Sequence, residues 1–313
     1  MSGAVRVLVS FALIAAGTAV LAQPASAAGD TCSYDPATKV VTVVFPETAD
    51  VSRLISRSIQ GTGIEYENSP CSTATVRNTK RIDVSAGSGT QDLDIYLAHG
   101  PFAPGVGSES PGLPEIEWDI DLGGGTDRID VVGSNAADFI RFDGTDGLEL
   151  NGDGDVDARL RHIEQAFVDG GKGDDHLLAS TSTLPVFFYA NRGNDLLVGG
   201  GASDRLYGGD GADTLRGRKG NDILRGDAGP DGSFGGAGND RFHSGTGNDV
   251  SVGGPGDDDM TGGGGNDTLS GGPGDDTMHL TDGLVDEANC GDGVDMASDR
   301  DPVDTVLVEC ETT

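Results

Sequence analysis

Residues 190–279 repeat every nine positions without an insertion or a deletion. The clearest copies are GGDGADTLR from Gly208, GGAGNDRFH from Gly235, GGPGDDDMT from Gly253, GGGGNDTLS from Gly262 and GGPGDDTMH from Gly271. The sixth position is aspartate in all ten copies: Asp195, Asp204, Asp213, Asp222, Asp231, Asp240, Asp249, Asp258, Asp267 and Asp276. An isolated copy, GGKGDDHLL, begins at Gly170 and carries Asp175 in the same place. Strict phase over so short a period limits the chain to a stack in which each unit touches its neighbours. A glycine-rich acidic linker would keep the composition but not the phase.

Each unit reads as a turn followed by a short strand. Glycine reaches φ > 0 without a Cβ clash, so GGxG makes a tight turn whose carbonyls can point inward. The aspartate adds a carboxylate to those carbonyls. Ca²⁺ takes six to eight such hard oxygens at about 2.3–2.6 Å, more than one turn offers, so two stacked turns have to share an ion. A phosphate loop is disfavoured, because no GxxxxGK[ST] occurs and Lys172 sits among carboxylates that would repel phosphate.

The units resemble the hemolysin-type, or RTX, calcium-binding repeat, GGxGxDxUx, over residues 170–279. The resemblance implies an all-β fold, a right-handed parallel β-roll or β-solenoid, with two units per coil. Turns on one side are then eighteen residues apart. The expected pairs are Asp195/Asp213, Asp204/Asp222, Asp213/Asp231, Asp222/Asp240, Asp231/Asp249, Asp240/Asp258, Asp249/Asp267 and Asp258/Asp276. Up to about eight Ca²⁺ would lie in residues 190–279, with Asp276 at the end of its column. The expected ligands are the aspartates named, Asp175 included. With them come the carbonyls of the turn glycines Gly208, Gly211, Gly235, Gly238, Gly253, Gly256, Gly262, Gly265, Gly271 and Gly274.

The eighth position points into the roll. It reads Leu197, Leu206, Leu215, Leu224, Ser233, Phe242, Ser251, Met260, Leu269 and Met278. The two serines are eighteen apart and stack on one wall, and Phe242 projects from the opposite wall between them.

The remaining chain divides by composition. Residues 1–27 read as a signal peptide: Arg6, an apolar run from Val7 to about Ala22, then Ala25-Ser26-Ala27 before the cut. No later apolar stretch is long enough to span a bilayer. Residues 28–81 include the β-branched run 39–45 and are expected to form an N-terminal cap. Residues 82–168 hold decayed copies around Gln91, Asp127 and Asp138 and read as wider coils. Residues 280–313 are expected to cap the other end. Caps matter because an open solenoid end is a bare sheet edge. Four cysteines in an exported chain suggest disulfides, and the spacing favours Cys32–Cys71 and Cys290–Cys310. Residues 153–164 place Asp153, Asp155, Asp157 and Glu164 at EF-hand ligand positions, but Ala158 replaces the glycine and no helix precedes them.

Fifty-two acidic residues face 20 basic ones, a net charge of −32. Loss of residues 1–27 would remove Arg6 and no acid, giving −33. Such a charge repels nucleic acid. With few aromatic residues to bury, it also predicts disorder unless something neutralises the acid. Eight Ca²⁺ would offset about half of it. No HExxH and no GxSxG occurs, and His99, His162, His176, His243 and His279 are scattered, the last three at outward strand positions. The expectation is therefore a secreted, non-enzymatic calcium-binding protein that folds on meeting extracellular Ca²⁺. The alternatives are an extracellular adhesive or matrix protein using the roll as a spacer and a secreted hydrolase with an unrecognised site in the N-terminal part; beyond calcium the sequence names no protein or glycan partner.

Overall fold

The computed structural model describes strands within residues 31–96 and then residues 117–298, except 145–146, 151–157 and 281–283; it ends with 305–308 and 310–311. The described residues are strands, turns and bends, arranged as a parallel β-solenoid. Among them are two sheets, one of 15 strands and one of 14, and through the repeats the chain alternates between the two.

Within the repeats both ladders advance by one coil of eighteen residues. On one sheet Leu196 pairs with Thr214, Thr214 with Gly232, Gly232 with Val250 and Val250 with Thr268. On the other Arg205 pairs with Ile223, Ile223 with Arg241, Arg241 with Asp259 and Asp259 with Thr277. The sequence period thus becomes the pairing register, which fixes which side chains share a level.

The turns between the sheets rest on left-handed backbone. Gly236 (φ 111°) and Gly238 (φ 137°) are the second and fourth residues of their unit. A Cβ at Gly238 would overlap the carbonyl of Gly220 one coil away. Where the second residue is not glycine, Asn191, Arg218 and Asp227 still hold φ of 76°, 82° and 76°. Neighbouring coils therefore impose this conformation on the turn, and in the arginine it is strained.

Three positions per unit are buried, where the sequence pointed to one. The expected eighth-position residues are all buried, including Ser233 and Ser251. The sixth-position aspartate and the first residue of the following unit also face inward, as in Asp213, Leu215 and Gly217. Ser233 pairs with Ser251 on one sheet, and Phe242 lies between Leu224 and Met260 on the other. Ser251 is not left without a partner: its hydroxyl lies 2.9 Å from that of Ser244, a buried serine standing where most units have their first glycine.

The ladder starts well upstream of the repeats. Val40–Phe45 pairs in parallel with Arg81–Ala86, and Val51–Arg57 with Gln91–Tyr96. Thr31–Asp35 closes one end antiparallel to Val40–Phe45. A meander of Phe139–Asp143, Gly147–Glu149 and Ala158–Arg161 widens one sheet. Its buried Glu149 is neutralised by Arg141 at 2.6 Å. Ala158–Arg161 is a strand parallel to Glu117–Asp121, and Glu164 accepts a hydrogen bond from the Asp127 amide at 2.6 Å. The described part of the EF-hand-like segment is thus committed to the solenoid, while Asp153, Asp155 and Asp157 lie outside the described residues. So do residues 1–30, and with them the expected signal peptide.

Candidate metal centre

The sixth-position aspartates form two columns along the roll, one beneath each row of turns. Each aspartate amide donates to Oδ1 of the aspartate one coil on. All eight expected pairs are joined this way. Asp195 to Asp213, Asp204 to Asp222, Asp213 to Asp231, Asp222 to Asp240 and Asp231 to Asp249 are 2.8 Å each. Asp240 to Asp258 is 2.7 Å, Asp249 to Asp267 is 2.9 Å and Asp258 to Asp276 is 2.8 Å. One carboxylate oxygen is thereby fixed by the backbone, which sets the direction of the other.

That second oxygen lies inside the roll. Oδ2 of Asp175, Asp195, Asp213, Asp222, Asp231, Asp240, Asp249, Asp258 and Asp276 is buried without a hydrogen-bond partner. Nine orphaned carboxylate oxygens in register are costly unless a cation meets them. Burial pushes the Asp222 carboxyl up to about 8, with Asp204 and Asp240 adding repulsion against the lowering effect of its backbone hydrogen bond. Burial likewise raises Asp175, Asp231 and Asp258 to about 7 and Asp204, Asp213, Asp240 and Asp276 to about 6. Asp195 and Asp249 move in the same direction for the same reason.

The expected glycines line the same space. A Cβ at Gly208, Gly235, Gly253, Gly262 or Gly271 would meet Oδ2 of its own unit's aspartate. At Gly235 it would also lie 2.8 Å from the Gly253 carbonyl, and at Gly253 it would lie 2.7 Å from that of Gly271. The absent side chain leaves a cradle where a carboxylate and a carbonyl converge. Gly211, Gly238, Gly256, Gly265 and Gly274 instead pack against the carbonyl of the same-side turn one coil back. No group of three or more His, Cys, Asp or Glu poised for a metal occurs among the described residues. Two carboxylates per rung are available, so backbone carbonyls have to complete the oxygen set. Hard oxygens alone suit Ca²⁺ and disfavour softer metals.

A model of the RTX calcium-binding nonapeptide repeat matches residues 187–215, 198–232, 220–251 and 252–283, four copies in all. These are RTX calcium-binding repeats. No curated protein matches the chain. The RTX match covers less than a third of the sequence, so the upstream coils rest on the structure alone.

The columns differ from the RTX pattern at their ends. Asp175 joins through its amide to Asp195 at 2.6 Å, and Asp138 joins to Asp175 at 2.8 Å. Ser134 closes that end by donating its amide to Asp138 at 2.6 Å. In the other column Val186 occupies the level before Asp204 and donates its amide to it at 2.9 Å. A side chain without oxygen thus begins that column. The expectation that Asp276 ends it is overturned, because the Asp276 amide donates to Asp295 at 2.8 Å. Likewise Asp267 donates to Asp286 at 2.8 Å.

The Cys290–Cys310 disulfide is present, with its Cα atoms 5.4 Å apart. The side chains of Cys32 and Cys71 lie outside the described residues. His176 and His243 are exposed and His279 is partly so, all on the outer faces of strands. His162 is exposed and bonds Asp121 at 2.7 Å; His99 lies outside the described residues.

Proposed function

We propose that this calcium-binding RTX protein is exported through residues 1–27 and folds outside the cell as Ca²⁺ fills the carboxylate columns. The observation that carries this reading is the register of buried, unpartnered Oδ2 atoms. Without a cation, folding brings like charges together in a dry space; with one, the same oxygens become ligands. Extracellular modules bind Ca²⁺ at about 10⁻⁴–10⁻³ M, so the columns would stay empty at cytosolic calcium and fill after export. On this reading the chain is a calcium-dependent structural protein and not an enzyme.

The test is made on protein recovered from culture medium. N-terminal sequencing is expected to start at Ala28. Native mass spectrometry in calcium is expected to show several bound ions, about eight of them from the repeats. An intact N-terminus in the cell pellet would refute export. A calcium-free mass in millimolar calcium would refute the columns as ion sites.

A further inference from the structure

We infer that a further calcium site straddles the end of the RTX match, between Asp276 inside it and Asp295 beyond it, with the carbonyl of Cys290 as a further donor. The proposal rests on the reading of the columns as calcium sites and extends it to a segment that the repeat pattern does not cover.

Residues 290–295 read CGDGVD, which is the turn of the repeat with cysteine in place of the first glycine. The backbone agrees. Gly291 and Gly293 have φ of 102° and 159°, as at the second and fourth positions of a repeat. Asp295 follows Asp276 by nineteen residues rather than eighteen, which takes it out of the strict phase.

The donors resemble those within the repeats. Asp295 is fully buried, its Oδ1 is held by the Asp276 amide, and its Oδ2 is buried and unpartnered. Oδ2 of Asp276 is also buried and unpartnered. A Cβ at Gly271 would overlap Asp276 Oδ2 and lie 2.5 Å from the Cys290 carbonyl. At Gly253 the corresponding place is taken by Asp258 and the Gly271 carbonyl. The rung therefore has two carboxylates and a carbonyl in the arrangement of the rungs before it.

The disulfide marks its limit. Cys310 pairs with Asp295 in the ladder, at the level where the column's next aspartate would stand. The column thus runs from Val186 to Cys310, and the Cys290–Cys310 bond ties the last carbonyl donor to the strand that ends it. A calcium ion here would order the C-terminal strands together with the roll.

The test is hydrogen exchange of the full chain across a calcium titration, in wild type, Asp295→Asn and Gly271→Ala. Asparagine keeps an oxygen for the Asp276 amide and removes the charge; alanine fills the cradle and leaves the charges alone. In wild type, peptides from 205–228 and 284–298 are both expected to become protected as calcium rises. In either variant the 284–298 peptide should need about tenfold more calcium or more, as expected when a ligand charge or the ligand space is lost. The 205–228 peptide should keep its midpoint. Protection of 284–298 at the wild-type midpoint in both variants would overturn this site while leaving the RTX columns standing. Absence of calcium-dependent protection at 205–228 in wild type would overturn the columns, and this site with them.

Discussion

Asp222 shows what one side chain does in the columns. It receives the Asp204 amide on Oδ1, gives its own amide to Asp240, and holds Oδ2 unpartnered inside the roll. It belongs to two rungs, whereas Asp204 faces Val186 on one side and belongs to one. Asp222→Asn is therefore expected to remove two ions and Asp204→Asn one, as counted by native mass spectrometry; equal losses would contradict the eighteen-residue stacking. Phe242 is the second informative residue. It is fully buried between Leu224 and Met260, opposite the wall that carries Ser233 and Ser251. Phe242→Ala opens a cavity facing Ser233 and Ser251, whose short side chains cannot fill it, and should cost about 3–5 kcal/mol. Because folding and binding are linked, the calcium midpoint should rise. Leu224→Ala removes less volume and should cost less by denaturant unfolding in calcium. A Phe242→Ala protein as stable as wild type would contradict the inward register.

At the scale of the coil, the raised carboxyl pKa values make a directional claim. In the calcium-free roll the folded state keeps protons that the unfolded chain releases above about 4. This contribution to calcium-free folding is therefore full below about pH 4 and is lost as pH climbs from there through about 6 and about 8, where Asp204 and Asp222 lose their protons in the folded state. Calcium has to displace those protons, so its midpoint should be higher at pH 5.5 than at pH 8; the reverse order would contradict the buried columns. The disulfide acts at the same scale. Opening the Cys290–Cys310 loop, with a separation of 20 residues, by a double serine substitution should cost about 3 kcal/mol in the chain-entropy picture. Denaturant unfolding at saturating calcium measures it, and an unchanged stability would show that the bond does not brace this end.

Much of the coil was legible because its period is also its pairing register, so reading the phase placed every aspartate and every eighth residue. Three features were not legible, each for a physical reason. The first position of the unit is mostly glycine, and a residue without a side chain gives no sign that it faces inward. Val186 has no oxygen to mark it as a member of a column. Asp295 follows a cysteine and one extra residue, which break the motif although the backbone keeps its turn.

At the scale of the whole molecule, the charge of −32 and the parallel solenoid are two sides of one problem. Through the repeats the chain buries one large apolar side chain or a serine per unit, so the core there is a narrow strip bordered by carboxylates. On the proposed reading, hydrophobic burial in such a strip does not by itself offset the repulsion of buried carboxylates. Divalent cations in the columns would cancel much of that charge and connect each coil to the next, so that stability grows with the number of neighbours in contact. Circular dichroism of the full chain, titrated with calcium from EDTA into the millimolar range, tests this most directly. At pH 8 the repeats' share of the strand signal should be absent in EDTA and appear cooperatively at about 10⁻⁴–10⁻³ M calcium. A spectrum that is the same in EDTA and in millimolar calcium would contradict it.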